Sequence, residues 1–322
     1  MQSDATISRR PSRVQAGALA LVAIAIFTVA LAAVGYGSDP KKLTDWQALV
    51  LGVTQGITEF LPISSSGHLI LVPWLFNWHY LENHADFNKT FDVSLHLGTL
   101  IAVLVYFRLE AVALAGAWFR SIGKRAIETG EERLAWFVVV ATIPAAVFGA
   151  LGESFVEEKL GQPWQIAVFM AVFAIVLWYA DQTPVTREMD EFDLKTAIGV
   201  GLAQALALAP GVSRSGITIS AGRYLGLSRD DAARFSFFLY APVVAGAVIF
   251  KGVKDLHGGF PAGTTGPFLV GTLTSMVVGL VSIWALLSYL RHNNYNIFVL
   301  YRLAVALAVL ILIATGVQSA HF

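Results

Sequence analysis

An all-α polytopic membrane protein is the fold class that this sequence predicts, and three observations carry the prediction. Hydrophobic residues make up 56% of the 322 and charged residues only 14%, with a mean hydropathy of +0.65. A soluble domain of that length could not bury so much apolar surface. The apolar residues run in stretches of about 20, enough to cross a hydrocarbon core of ~30 Å. The stretches are continuous rather than alternating, so helices and not barrel strands must satisfy the backbone. A formal net charge of zero argues against a nucleic-acid partner. The absence of cysteine excludes thiol nucleophiles, disulfides and zinc–thiolate sites.

The elements follow in chain order. Residues 1–44 form a basic N-terminus with Arg9, Arg10 and Arg13, then an apolar run at 16–35. That run exceeds the roughly 7–15 residues of a signal-peptide core, so it reads as an extra anchor helix held with its N-terminus inside. Residues 45–322 form a single domain, with full spans expected at 88–107, 134–152, 164–180, 231–250, 267–290 and 296–317. Two apolar segments, 45–76 and 196–227, are broken by Pro62 and Ser64-Ser65-Ser66-Gly67, and by Pro210-Gly211 and Ser213-Arg214-Ser215-Gly216. Proline ends a helix and a following serine can cap the next, so each reads as helix, turn, helix.

The broken segments repeat one another. With a constant offset of 149, LGVTQGITEFLPISSSG (51–67) lies on VGLAQALALAPGVSRSG (200–216) without a gap. Repeat 1 then covers about 45–152 and repeat 2 about 164–290, with a final helix at 296–317. The region 108–133, read as a loop, carries Arg108, Arg120, Lys124, Arg125 and Arg133, which places it in the cytoplasm. The first hairpin then enters from outside and the second from inside. The expectation is an inverted repeat with two re-entrant hairpins meeting near the midplane, six core spans and the extra N-terminal helix. Irregular backbone at that depth is tolerated only where it lines a cavity.

The turns carry the chemistry. Gly52, Gln55, Gly56 and Glu59 share one helix face, the glycines in a spacing that permits close helix packing. A carboxylate at membrane depth costs at least ~2.5–3.5 kcal/mol, which makes Glu59 a functional candidate. Ser64, Ser65, Ser66 and Gly67 open a half-helix with His68 in its first turn, and Ser213, Ser215 and Gly216 repeat the device around Arg214. Helix starts bind anions, and a guanidinium matches phosphate oxygens, so the two turns together favour a phosphate. Capping is the structural role open to at least one serine in each turn. Ser65, His68 and Glu59 are the candidate catalytic set of nucleophile and base. The other histidines show no metal-ligand spacing and receive no role; Asp92, at the border of a span, is a further candidate to face the cavity.

EFLPISSSGH and PGVSRSGITISAG resemble the two signature regions of the bacterial undecaprenyl-diphosphate phosphatases, the bacitracin-resistance proteins. The similarity runs from about 45 to 315 and includes FDVSLHLGT, SRDDAARFSF and the pair Tyr301-Arg302. The resemblance implies removal of the terminal phosphate from a polyprenyl diphosphate lipid, recycling the carrier for cell-wall polymers. It implies a multi-pass protein of the bacterial inner membrane with an outward-facing site, and a homodimer is compatible with it. Its motif residues fall on Glu59, Ser64, Ser65, His68, Ser213, Arg214 and Ser215. The family's divalent cation, Mg²⁺ or Ca²⁺, is ascribed to a glutamate pair; here Gln55 replaces one member, leaving Glu59 as the charged ligand. In the expected mechanism Ser65 attacks the distal phosphorus, His68 and Glu59 move the proton, and Arg214 holds the oxygens. Direct attack by water is the other route. An inverted-repeat transporter or flippase for an anionic lipid is the competing class, disfavoured because Leu208 and Ile217 replace Glu59 and His68 in the second turn.

Overall fold

The computed structural model describes residues 42–256 and 264–321, and the expected anchor helix at 16–35 lies outside the described residues. Among them the secondary structure is helical throughout, in the order α1 (Asp45–Thr58), α2 (Ser65–Leu75), α3 (His79–Asn83), α4 (Ala85–Tyr106), α5 (Arg108–Lys124), α6 (Gly130–Lys159), α7 (Pro163–Asp181), α8 (Leu194–Ala205), α9 (Arg214–Tyr224), α10 (Arg229–Leu256), α11 (Thr265–Leu290) and α12 (Asn296–Ala314). Six of these are long and apolar enough to cross a membrane, on or within α4, α6, α7, α10, α11 and α12. They coincide with the six spans expected from hydropathy, and the protein is a multi-pass membrane protein.

One expectation is corrected. Residues 108–133 are not a loop, because α5 occupies 17 of them. Its alanines favour helix, and it docks on α6, where Trp136 Nε1 donates to Ser121 Oγ at 2.9 Å. Arg125 then ends α5 in the left-handed conformation, at φ 56°.

The half-helices that follow the two breaks match in their backbone. α2 and α9 begin and end at positions 149 apart, and their caps Ser64 and Ser213 share an unusual positive φ, 75° and 77°. In each cap the serine Oγ accepts from the glycine three residues on, Gly67 N at 3.3 Å and Gly216 N at 3.1 Å.

The two units also exchange partners. α1 packs along α11 in the second unit, while its counterpart α8 packs along α6 in the first; α4 likewise rests on α11 and α10 on α6. The equivalent glycines allow both approaches. A Cβ on Gly52 would come within 2.7 Å of the Gly271 carbonyl, and one on Gly201 within 2.7 Å of the Ala141 carbonyl. α4 and α10 meet at the centre.

The tightest helix contact is Gly98 of α4, where an added Cβ would lie 2.0 Å from Ser275 Oγ and 2.3 Å from the Thr272 carbonyl. Ser275 Oγ is itself held on the Leu95 carbonyl, so backbone must move to admit a methyl. Gly98→Ala should cost about 3 kcal/mol or more, at the upper end of overpacking effects. A lowered unfolding midpoint in detergent checks it; an unchanged midpoint would contradict the α4–α11 packing described here.

Candidate active site

The two broken segments bring their turns into direct contact. Ser64 Oγ accepts a second bond from Gly211 N at 3.1 Å, and Ser215 Oγ donates to the Leu61 carbonyl at 3.0 Å. Arg302 of α12, wholly buried, ties the turns together. It donates to the Pro62 carbonyl of the first turn at 3.1 Å and to the Gly211 and Val212 carbonyls of the second at 2.8 and 3.0 Å. It reaches Met170 of α7 as well, at 3.1 Å. Such a guanidinium satisfies carbonyls that a helix break leaves without partners.

Glu59 follows α1 directly and is 5% exposed. Its Oε1 accepts from Arg214 Nη2 at 2.9 Å. Its Oε2 accepts from Ser65 Oγ at 2.6 Å and from Gln55 Nε2 at 2.9 Å. A buried carboxylate is tolerable only when paired and hydrogen-bonded in this way. Arg214, first residue of α9, is aimed from α10: Nη1 donates to the Ser236 carbonyl at 3.0 Å, and the guanidinium carbon lies 4.5 Å from the centre of the Tyr240 ring.

The structure therefore joins Glu59, Ser65, Gln55 and Arg214 in one bonded set. Ser65 and Ser66 are half-buried and reachable. Ser64, Ser213 and Ser215 are buried, the first two as caps and Ser215 bound across to the other turn. Gly67 and Gly216 act by lacking a side chain: an added Cβ would lie 3.0 Å from Ile166 Cγ2 in one case and 3.0 Å from Arg302 Nη1 in the other. Capping uses the Gly67 N–H, and the Ser64 carbonyl takes the His68 N–H, which leaves the N–H groups of Ser65 and Ser66 at the mouth of α2. The start of α9 offers Arg214 and Ser215 in the same way. The arrangement can hold an anion over Ser65.

His68 stands apart from that set. Its Nδ1 lies 2.7 Å from the Ser64 carbonyl and its Nε2 2.8 Å from the Tyr301 hydroxyl. Neither ring nitrogen bonds Ser65, and the Ser65 hydroxyl donates to Glu59. The histidine beside the carboxylate is His96 of α4, to which the sequence analysis gave no role; its Nε2 is 3.5 Å from Glu59 Oε2. Sequence reading also missed Ser236, Tyr240 and Arg302. For His96, Ser236 and Arg302 the segments FDVSLHLGT, SRDDAARFSF and the Tyr301-Arg302 pair carried the signal, but only as resemblance, without a chemical reason for any one residue; Tyr240 lies outside all three.

The residues do not assemble a resident cation site. A hard divalent cation takes about six or more oxygen ligands. Here both oxygens of Glu59 already accept from Arg214, Ser65 and Gln55, and no three His, Asp or Glu side chains converge among the described residues. Gln55 turns its amide nitrogen to Glu59, which leaves its own Oε1 buried without a partner.

Comparison with known proteins decides the family. The sequence model described as Bacitracin resistance protein BacA matches residues 48–308. The chain belongs to that family. It is 46% identical over 273 residues to the undecaprenyl-diphosphatase of Pelotomaculum thermopropionicum, covering 84% of this chain and 98% of that protein. The undecaprenyl-diphosphatase of Geobacter sulfurreducens is 46% identical over 265 residues, 82% of this chain and 96% of that one. That of Nocardioides sp. is 42% identical over 276 residues, with 85% and 98% covered. The described site lies entirely inside the matched range.

Proposed function

We propose that the chain is an integral-membrane phosphatase that hydrolyses undecaprenyl diphosphate to undecaprenyl phosphate and phosphate, with Ser65 as the nucleophile. The observation that carries this reading is the 2.6 Å bond from the Ser65 hydroxyl to Glu59, at a turn whose open side faces two helix starts and Arg214.

Glu59 Oε2 takes the Ser65 proton as Oγ bonds the distal phosphorus. The bond to the bridging oxygen breaks, and the lipid monophosphate leaves with the electron pair. Its second pKa is about 6, so it departs without an acid. Glu59 releases that proton to solvent, then takes one from the water that attacks the phosphoserine and passes it to Oγ as phosphate leaves, which restores both the hydroxyl and the carboxylate. Arg214 and the N–H groups of both helix starts hold the non-bridging oxygens, so catalysis rests on placement and charge neutralisation. Glu59 and the anionic substrate would repel, and Arg214 on the carboxylate lowers that cost. The role of His68 is to fix the turn through the Ser64 carbonyl and Tyr301.

A divalent cation, Mg²⁺ or Ca²⁺, enters this reading as a companion of the diphosphate and not as a ligand set prepared by the protein. The lipid, the bilayer and, as an arrangement compatible with the site, a second copy of the chain are the partners. The site faces outward from the bacterial inner membrane, as the charge of the 108–133 region supports.

Phosphate release from a polyprenyl diphosphate by the purified protein, with and without chelator, tests the function. Release is expected in both arms, slower with chelator, and Gln55→Glu should raise the affinity for Ca²⁺ measured without lipid. Wild-type protein that binds the lipid and releases nothing would move the reading to a carrier.

A further inference from the structure

His96 is placed in the site by α4 alone, from outside both hairpins. Its Nδ1 lies 2.8 Å from the Asp92 carbonyl one turn back, and a carbonyl can only accept, so that nitrogen carries a proton and the ring is locked. Nε2 is then the free end. It lies 3.5 Å from Glu59 Oε2, beyond the usual 2.7–3.2 Å of an N–H···O bond. The same oxygen already accepts from Ser65 and Gln55.

Exposure separates His96 from its neighbours. Its side chain is 29% exposed, against 5% for Glu59 and 14% for Arg214. The neighbouring Tyr240 hydroxyl is engaged, bonding Thr99 Oγ1 at 2.6 Å and the His96 carbonyl at 3.3 Å. A ring fixed at one nitrogen, open at the other and beside the nucleophile's acceptor is placed to meet an incoming group.

We propose that His96 is a substrate-binding residue of this site, its ring as the imidazolium donating Nε2–H to a non-bridging oxygen of the distal phosphate from the Oε2 side of Glu59 while Arg214 holds another from the Oε1 side. The inference rests on the phosphatase reading and adds a residue to it. An anion drawn to Ser65 must pass an ionised Glu59, and a donor on each flank of that carboxylate supplies what repulsion takes away. Charge-assisted bonds to phosphate are about twice as strong as neutral ones. The Glu59 contact gives way to the better-placed phosphate oxygen when substrate is bound.

The test uses the full chain in detergent with a polyprenyl diphosphate, comparing His96→Ala and His96→Gln. Alanine should lower kcat/KM by about 100-fold, and glutamine, which places an amide N–H in similar space, should recover most of it. Unfolding midpoints of both should match the wild type, since the side chain is partly exposed. A second arm measures binding of the same lipid to Ser65→Ala protein with and without His96→Ala, where affinity should fall by about 10-fold. Wild-type kcat/KM and affinity in the alanine variant would overturn the assignment, as would a glutamine variant as impaired as alanine. Absence of release by the wild type would instead count against the phosphatase reading, and the binding arm would still decide His96.

Discussion

Ser65→Ala should lower phosphate release by at least about 1,000-fold while leaving lipid affinity nearly unchanged, the pattern of a lost nucleophile. The geometry gives the reason. Ser65 Oγ is the one hydroxyl of its turn bonded to Glu59, at 2.6 Å, and it is half-buried and reachable. Ser64 is spent on Gly67 and Gly211, and Ser66 Oγ lies 3.5 Å from Ser64 Oγ. Ser66→Ala should therefore retain most of the activity. Arg214→Ala should lose about 100- to 1,000-fold and bind the lipid more weakly, since it removes charge from the phosphate and from Glu59 together. Quenching the wild-type reaction in acid and finding phosphate on the peptide that contains Ser65 would establish the covalent step. A Ser65→Ala protein at wild-type rate would sink it and leave direct attack by water.

The second large effect concerns stability. Arg302→Met should destabilise the protein by about 3–5 kcal/mol, the range seen when a buried charged group with several partners is removed. The side chain is fully buried and bonds carbonyls of Pro62, Gly211, Val212 and Met170, each on irregular or helix-terminal backbone or on the neighbouring α7. Methionine matches the stem but supplies no donors, so those carbonyls lose their partners. The unfolding midpoint in detergent should fall well below that of the wild type, and activity should fall with it because both turns loosen. An Arg302→Met protein as stable as the wild type would show that the turns are held by other means.

Strain points to the same turns. Ser64 and Ser213 hold positive φ values that cost a non-glycine residue on the order of 1–3 kcal/mol each. Capping bonds within the turns, the cross-bonds between them and Arg302 over-determine that backbone. The product is a pair of helix starts fixed face to face with N–H groups left open.

What the sequence by itself determined was whatever depends on neighbours along the chain. Hydropathy marks spans because crossing a bilayer is a property of about 20 consecutive residues. The two breaks and the offset of 149 were legible because proline, glycine and capping serine act within one turn of helix. Glu59 and Arg214 stood out because charge is costly at membrane depth wherever its partner lies. Only the tertiary structure decided who bonds whom. His68 follows Ser65 by three residues, yet its ring faces Ser64 and Tyr301, while His96, more than thirty residues from Glu59, arrives beside the carboxylate on a different helix. Arg302 looks in sequence like one more polar residue on an apolar span, and its Nε, Nη1 and Nη2 find their carbonyls only once the two turns have met. Local patterns report where backbone bends and charge sits; hydrogen-bond partners are chosen by the packing of helices that the chain separates.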